Sequence, residues 1–206
     1  EAGIDPFPDD FRRSHTSAQA VQDHTERQDE KSVYRVAGRM VRLNKMGKSA
    51  FAHIQDGEGR IQLYFQKNQL GDHQFEVFLS MFDLGDFLGA EGTLFKTRTG
   101  EVTLRVLSYK MLSKSLRPLP EKFHGLTDQE MRYRQRYLDL IASESVRKTF
   151  EIRTRITTTI RRFLDSRGYN EVETPILQPR YGGASARPFK THYNALGEDL
   201  YLRIAD

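Results

Sequence analysis

Five strand signals follow one another between residues 34 and 106, and one helical pattern falls between the third and the fourth. Side chains alternate faces along a strand, so each run can turn one face to a core and the other to solvent. In the first run, over 34–40, Val36 and Met40 share a face and Arg35 and Arg39 take the other. The second spans 51–54. Asp56-Gly57-Glu58-Gly59 then marks a hairpin turn, and Ile61, Leu63 and Phe65 alternate along the third strand. The helical pattern covers 74–81 and the fourth strand 87–96. Thr99-Gly100 turns the chain into a fifth strand, on which Val102, Leu104 and Val106 alternate.

Several small barrels share such alternation, but a helix between strands three and four favours the partly open, five-stranded barrel called the OB-fold. The chain is therefore expected to be β-rich α+β. A polar, partly helical extension over 1–32, with a short helix around 17–23, precedes the OB-fold over 33–116; a linker over 117–127 leads to a helix–strand unit over 128–206. Arg117-Pro118-Leu119-Pro120 stiffens the linker, because each proline restricts the residue before it. Thr127-Asp128-Gln129-Glu130 has the form of a capping box, opening a helix whose apolar stripe is Tyr133, Tyr137, Leu140 and Ile141. A longer helix is expected over 145–166, with Phe150, Ile152, Ile156, Ile160, Phe163 and Leu164 turned inward and Gly168 as its stop. A short strand over 171–174 then meets Pro175.

The 206 residues include no cysteine, which excludes disulfides, thiolate catalysis and cysteine-ligated metal sites and is compatible with a reducing compartment. No apolar run nears the roughly 20 residues of a membrane span. No secretory core opens the sequence, and Glu1 reads as a trimmed start. A formal net charge of +4 permits a polyanionic partner such as nucleic acid without requiring one. The six histidines, at 15, 24, 53, 73, 124 and 192, show neither i,i+4 pairing nor a carboxylate cluster beside them. They are read as surface or packing residues, and no metal site is expected.

If Ile61, Leu63 and Phe65 fill the barrel, Gln62 and Tyr64 face outward. The same parity turns Phe51 and His53 out of the second strand and Glu101, Thr103 and Arg105 out of the fifth. The outer face thus gathers Phe51, Gln62 and Glu101. An exposed Phe is a stacking platform for an unpaired base. A Gln amide donates and accepts at a base edge, whereas a carboxylate only accepts and so selects an edge that donates. Single-stranded RNA is read by such stacking and base-edge contacts. The other reading is that Phe51 covers a barrel end and Glu101 decorates a turn, and the pattern leaves both open. Arg132 and Arg136, on one side of the next helix with Tyr133 and Tyr137 on another, suit either RNA phosphates or acidic side chains between domains. Gly182-Gly183, followed by Ala184-Ser185-Ala186, either lets backbone approach a ligand closely or forms an ordinary flexible loop.

Residues 116–126, LRPLPEKFHGL, and 132–141, RYRQRYLDLI, resemble the linker and hinge of bacterial class II lysyl-tRNA synthetases. GYNEVETP at 168–175 resembles class II motif 1. GGASARPF at 182–189, with THYN at 191–194 and LYLRIA at 200–205, is similar to that family's stretch after motif 1. VAGR at 36–39 and MGK at 46–48 match its anticodon-binding domain. Motif 1 is common to class II enzymes, whereas the linker and GGASARPF set the lysine family apart from its aspartyl and asparaginyl relatives. The resemblance implies ATP-dependent attachment of lysine to its tRNA through lysyl-adenylate, with magnesium, in a cytoplasmic homodimer without a membrane partner. Phe51 would stack on the central anticodon uridine, and Gln62 and Glu101 would bind anticodon base edges. Gly183 would line the lysine pocket, and Pro175 would be the motif 1 proline at the dimer interface. Motifs 2 and 3, whose arginines hold ATP, would fall beyond Asp206. No catalytic residue, ATP site or metal site is therefore expected within this stretch, which alone is expected to be inactive. The alternative is a free-standing RNA-binding OB module without ligase activity, for which the motif 1 segment has no use.

Overall fold

The computed structural model describes residue 5, residues 7–120 and residues 126–205. Residues 121–125 of the expected linker, His124 among them, and Asp206 lie outside the described residues. The chain divides into two compact units, Glu1–Ala142 and Ser143–Asp206.

The first unit opens with α1 (Ser17–Arg27). Thr16 and Gln19 form its capping box: the Thr16 hydroxyl accepts from the Gln19 N–H at 3.2 Å and the Gln19 side chain accepts from the Thr16 N–H at 3.0 Å. Two donors that a helix start leaves orphaned are thereby satisfied. Strands β1 (Val33–Met46), β2 (Ser49–Gln55) and β3 (Arg60–Gln66) follow, then helices α2 (Lys67–Leu70) and α3 (Asp72–Met81), then β4 (Phe87–Lys96) and β5 (Val102–Ser113). The strands close into a barrel in the order β1-β2-β3-β5-β4, with β4 returning to β1. Every ladder is antiparallel except β3 with β5, a parallel seam of three pairs: Gln62–Thr103, Leu63–Leu104 and Tyr64–Arg105. The five strands and the intervening helix are those expected, although β1 and β5 run further than their alternation suggests.

The inward faces are Val36 and Met40, Ala52 and Ile54, Leu63 and Phe65, Leu88 and Leu94, and Leu104 and Val106, all buried. Each large apolar side chain among them contributes roughly 1.5–3 kcal/mol by leaving water. Helix α3 seats Phe75 and Phe78 in the same core. The Phe78 ring stacks on Phe65 at 3.8 Å and 11°, and Tyr109 meets both edge-on. Burial pushes the Tyr109 hydroxyl up to about 12. One glycine is indispensable to closure: at the β4 bulge beside Gly92, a Cβ would fall 1.9 Å from the Arg105 carbonyl oxygen.

The hairpin turn between β2 and β3 anchors α1. The Asp56 carboxylate accepts from the backbone N–H of Ser17 at 2.6 Å and from those of Glu58 and Gly59 at 2.9 Å each. Burial works against that charge, but the backbone donors outweigh it and hold the carboxyl below the usual carboxylate range.

After the barrel come α4 (Gln129–Arg134) and α5 (Arg136–Ala142), two helices where one is expected, broken at Gln135. The cap of α4 is Asp128, which accepts from the N–H groups of Glu130 and Met131, rather than the Thr127 of the expected capping box. Arg132 and Arg136 grip the buried Asp139 carboxylate at 3.0 and 2.5 Å. The acidic partner of this basic run thus lies on the same segment and not on another domain.

The second unit begins with α6 (Glu144–Asp165), capped by the Ser143 hydroxyl and displaced by one residue from the expected 145–166. Its stripe does not turn inward within this chain: Ile152, Ile156, Ile160 and Phe163 are 54%, 55%, 55% and 53% exposed. The expected strand over 171–174 does not form, because no segment among the described residues pairs with it; Arg203 instead donates to the Thr174 carbonyl at 3.3 Å. The first strand is β6 (Leu177–Gln178), which pairs with β8 (Glu198–Leu202), and β8 pairs in turn with β7 (Lys190–Tyr193). Among the described residues no helix is long and apolar enough to cross a membrane.

Candidate nucleic-acid interface

Strand register lays two rows of side chains across the outer face of the barrel. One runs Arg42, His53, Gln62, Thr103, Phe95; the next runs Asn44, Phe51, Tyr64, Arg105. Residues of both rows, with Thr97, Arg98, Thr99 and Glu101 of the β4–β5 turn, line an open cleft of about 470 Å³. Phe51, Gln62 and Glu101 thus meet in one place although they come from three different elements.

The cleft has an aromatic side and a polar side. The Phe51 ring lies on Tyr64 at 4.5 Å and 19°, Tyr64 tilts toward Phe95 at 6.0 Å, and the Arg105 guanidinium covers Phe95 at 4.7 Å. One face of Phe51 is therefore taken by Tyr64, and the half-buried ring also lines the cleft. On the polar side a chain of hydrogen bonds fixes each group. Thr103 donates its hydroxyl proton to Gln62 Oε1 at 2.8 Å, Gln62 Nε2 donates to Glu101 Oε2 at 3.0 Å, and His53 Nε2 lies 2.9 Å from Glu101 Oε1. Because Thr103 takes the amide oxygen, Gln62 turns its NH2 group toward Glu101 and keeps one N–H to offer. Thr103, outward by parity, is nevertheless fully buried, since Gln62 lies over it.

A carboxylate acceptor beside an amide donor complements a base edge on which a donor adjoins an acceptor, as N3–H adjoins a carbonyl in uracil. Arg42 and Arg98 border the same cleft without an ion pair to any described residue, so their charge faces solvent. Sequence parity placed Phe51, Gln62 and Glu101 on this face and turned His53 out beside Phe51, but the site expected from it left out His53, Phe95 and the two arginines. The signal for His53 was its place two residues after Phe51, on the same side of β2.

Pro175 and Gly183 belong to the second unit. Pro175 is exposed, and its carbonyl accepts from Gln178 Nε2 at 3.4 Å. Gly183 has φ +92°, and a Cβ there would lie 2.8 Å from the Ala205 Cβ, so both its conformation and its surroundings exclude a side chain.

Residues 34–112 match the family described as OB-fold nucleic acid binding domain, and residues 128–206 match tRNA synthetases class II (D, K and N). The chain is 51% identical over 205 residues to a lysine–tRNA ligase of Pelotomaculum thermopropionicum, covering 100% of this chain and 40% of that protein. It is 52% identical over 203 residues to a lysine–tRNA ligase of Carboxydothermus hydrogenoformans, covering 98% of this chain and 41% of that one. To a heat-inducible lysine–tRNA ligase of Escherichia coli it is 52% identical over 204 residues, covering 97% of this chain and 40% of that one. The chain spans about two fifths of the length of these curated relatives.

Proposed function

The chain belongs to the class II lysyl-tRNA synthetase family, and from that premise we propose that the protein couples ATP to the attachment of lysine to its tRNA, with the barrel reading the anticodon loop. The observation that carries this reading is the convergence of Phe51, Gln62 and Glu101, distant in sequence, on one cleft with a stacking side and a hydrogen-bonding side. The face of Phe51 away from Tyr64 receives an anticodon base, Glu101 accepts its N3–H, and the spare Gln62 N–H reaches the neighbouring carbonyl. Arg42 and Arg98 attract the phosphates, a contribution that weakens with salt.

The proposed division is an extension over 1–32, an anticodon-binding barrel over 33–116, a linker over 117–127 and the start of a catalytic domain over 128–206. In that last part Gly183, with a φ of +92° that L side chains rarely adopt, is proposed to line the lysine pocket. The exposed stripe of α6, leading toward Pro175, supports a two-fold interface in a homodimer. A cytoplasmic location and the use of ATP with magnesium complete the proposal. Among the described residues no group of three or more His, Asp or Glu side chains could hold a metal ion, so no residue here is assigned to ATP or magnesium.

Titration of the whole protein with a labelled lysine anticodon stem-loop at one fixed salt concentration tests the reading. Tight binding that weakens on cytidine substitution in the anticodon is the expected result. Binding no tighter than to an unrelated stem-loop of equal length overturns it.

A further inference from the structure

Both oxygens of Glu101 are engaged within the protein itself, Oε1 by His53 at 2.9 Å and Oε2 by Gln62 at 3.0 Å. His53 Nε2 and Gln62 Nε2 stand 3.5 Å apart, at the edge of hydrogen bonding, so each nitrogen addresses the carboxylate rather than the other. A carboxylate only accepts, so a neutral His53 ring must carry its proton on Nε2. Its Nδ1 is then a bare acceptor, and it is buried without a partner. The ring is seated in the sheet, with 12% of the His53 side chain exposed against 46% of Glu101. The glutamate is the member with freedom to lose, since it stands at the end of the Thr97–Glu101 turn and a long side chain has many rotamers.

Charge alone does not let a carboxylate prefer uridine over cytidine. Uracil donates from N3, but cytosine donates from its exocyclic amino group, and a freely rotating carboxylate can follow either donor. Discrimination needs an acceptor fixed in place. We infer that His53 is a positioning residue that pins the Glu101 carboxylate opposite the N3–H of uracil and so sets uridine-over-cytidine preference without touching the base. This rests on the reading of Glu101 as a base-edge acceptor.

The test titrates the whole protein with the anticodon stem-loop and its cytidine-substituted forms at fixed salt. His53→Phe keeps a ring and removes the donor, whereas His53→Gln keeps a donor. His53→Phe lowers the uridine-to-cytidine affinity ratio about three- to tenfold, the span of one net hydrogen bond, mainly through tighter binding of the cytidine loop. His53→Gln restores most of the ratio, and adding His53→Phe to Glu101→Gln lowers it no further. An unchanged ratio in His53→Phe, where Glu101→Gln does lower it, overturns the positioning role and leaves the base-reading role standing. An unchanged ratio in Glu101→Gln overturns the base-reading role and this inference with it. Nitrogen-15 spectra of the wild-type imidazole are independent of how the variants fold. They are expected to show the Nε2–H tautomer, and an Nδ1–H tautomer overturns the inference.

Discussion

Replacing Phe51 by alanine separates the two things its ring can do. In the free protein one ring face lies on Tyr64 at 4.5 Å, so truncation removes an aromatic pair, about 0.5–1.5 kcal/mol of stability. The ring is only half-buried, so the roughly 3–5 kcal/mol of a core Phe→Ala cavity does not apply. Its other face is the one proposed to hold a base, and a lost base stack weakens binding by about 1–3 kcal/mol, a rise in Kd of roughly 5- to 150-fold. Phe51→Leu is the control, since leucine covers Tyr64 with apolar surface but offers no π face. Urea unfolding and stem-loop titration are run on the same preparations, with titration well below the unfolding midpoint. The expected pattern is a small stability loss in both variants and a large affinity loss in both. If Phe51→Ala lowers stability while Kd stays at the wild-type value, or if Phe51→Leu binds as tightly as wild type, Phe51 is a cover for the sheet and the stacking role fails.

Glu101→Gln narrows the gap between uridine- and cytidine-containing loops while binding to unrelated RNA stays the same or rises, because a negative charge has gone; parallel titrations at one salt concentration measure both. The Asp56 carboxyl is held below its usual range, so its contribution to stability is present above about pH 4 and is lost as pH falls through its folded-state value. Asp56→Asn therefore destabilises the protein at neutral pH and flattens that part of the acid transition in thermal melts taken at descending pH. Gly92→Ala forces a Cβ against the Arg105 carbonyl and lowers stability by about 1–3 kcal/mol or more in urea unfolding. Ile156→Glu on the exposed stripe of α6 shifts the whole protein from dimer to monomer in sedimentation equilibrium and leaves barrel melting unchanged.

The barrel is legible in the sequence because parity is a local property: Ile61, Leu63 and Phe65 can bury a common face only as a strand. The candidate site is legible to the same depth. Parity sends Phe51, Gln62 and Glu101 outward, but it is silent on which strands become neighbours. That Gln62 faces Thr103 across a parallel ladder, or that His53 finds a partner 48 residues away, is decided by closure of the barrel. Thr103 shows the limit plainly, being outward by parity and buried by its neighbour. The strand expected over 171–174 fails for a related reason, since a strand is a property of two segments and none of the described residues pairs with this one. At α4 the spacing of Thr127 and Glu130 suits a capping box, yet the Asp128 carboxylate accepts from two N–H groups at once.

The three-pair seam between β3 and β5 gives the cleft a history within folding. Gln62 stands on one side of it and Thr103, 41 residues later, on the other. The entropy of closing that loop precedes any reward from its contacts, so such a parallel pairing forms late. The cleft is therefore not a property of the β2–β3 hairpin, which supplies only Phe51, His53, Gln62 and Tyr64 of its lining; it comes into being with the finished ring. An RNA lying across the seam holds both of its banks, and its binding free energy adds to the stability of closure. Occupancy becomes visible where no base reaches, as slower hydrogen exchange at the amides of Leu63 and Leu104, whose side chains point away from the cleft into the core.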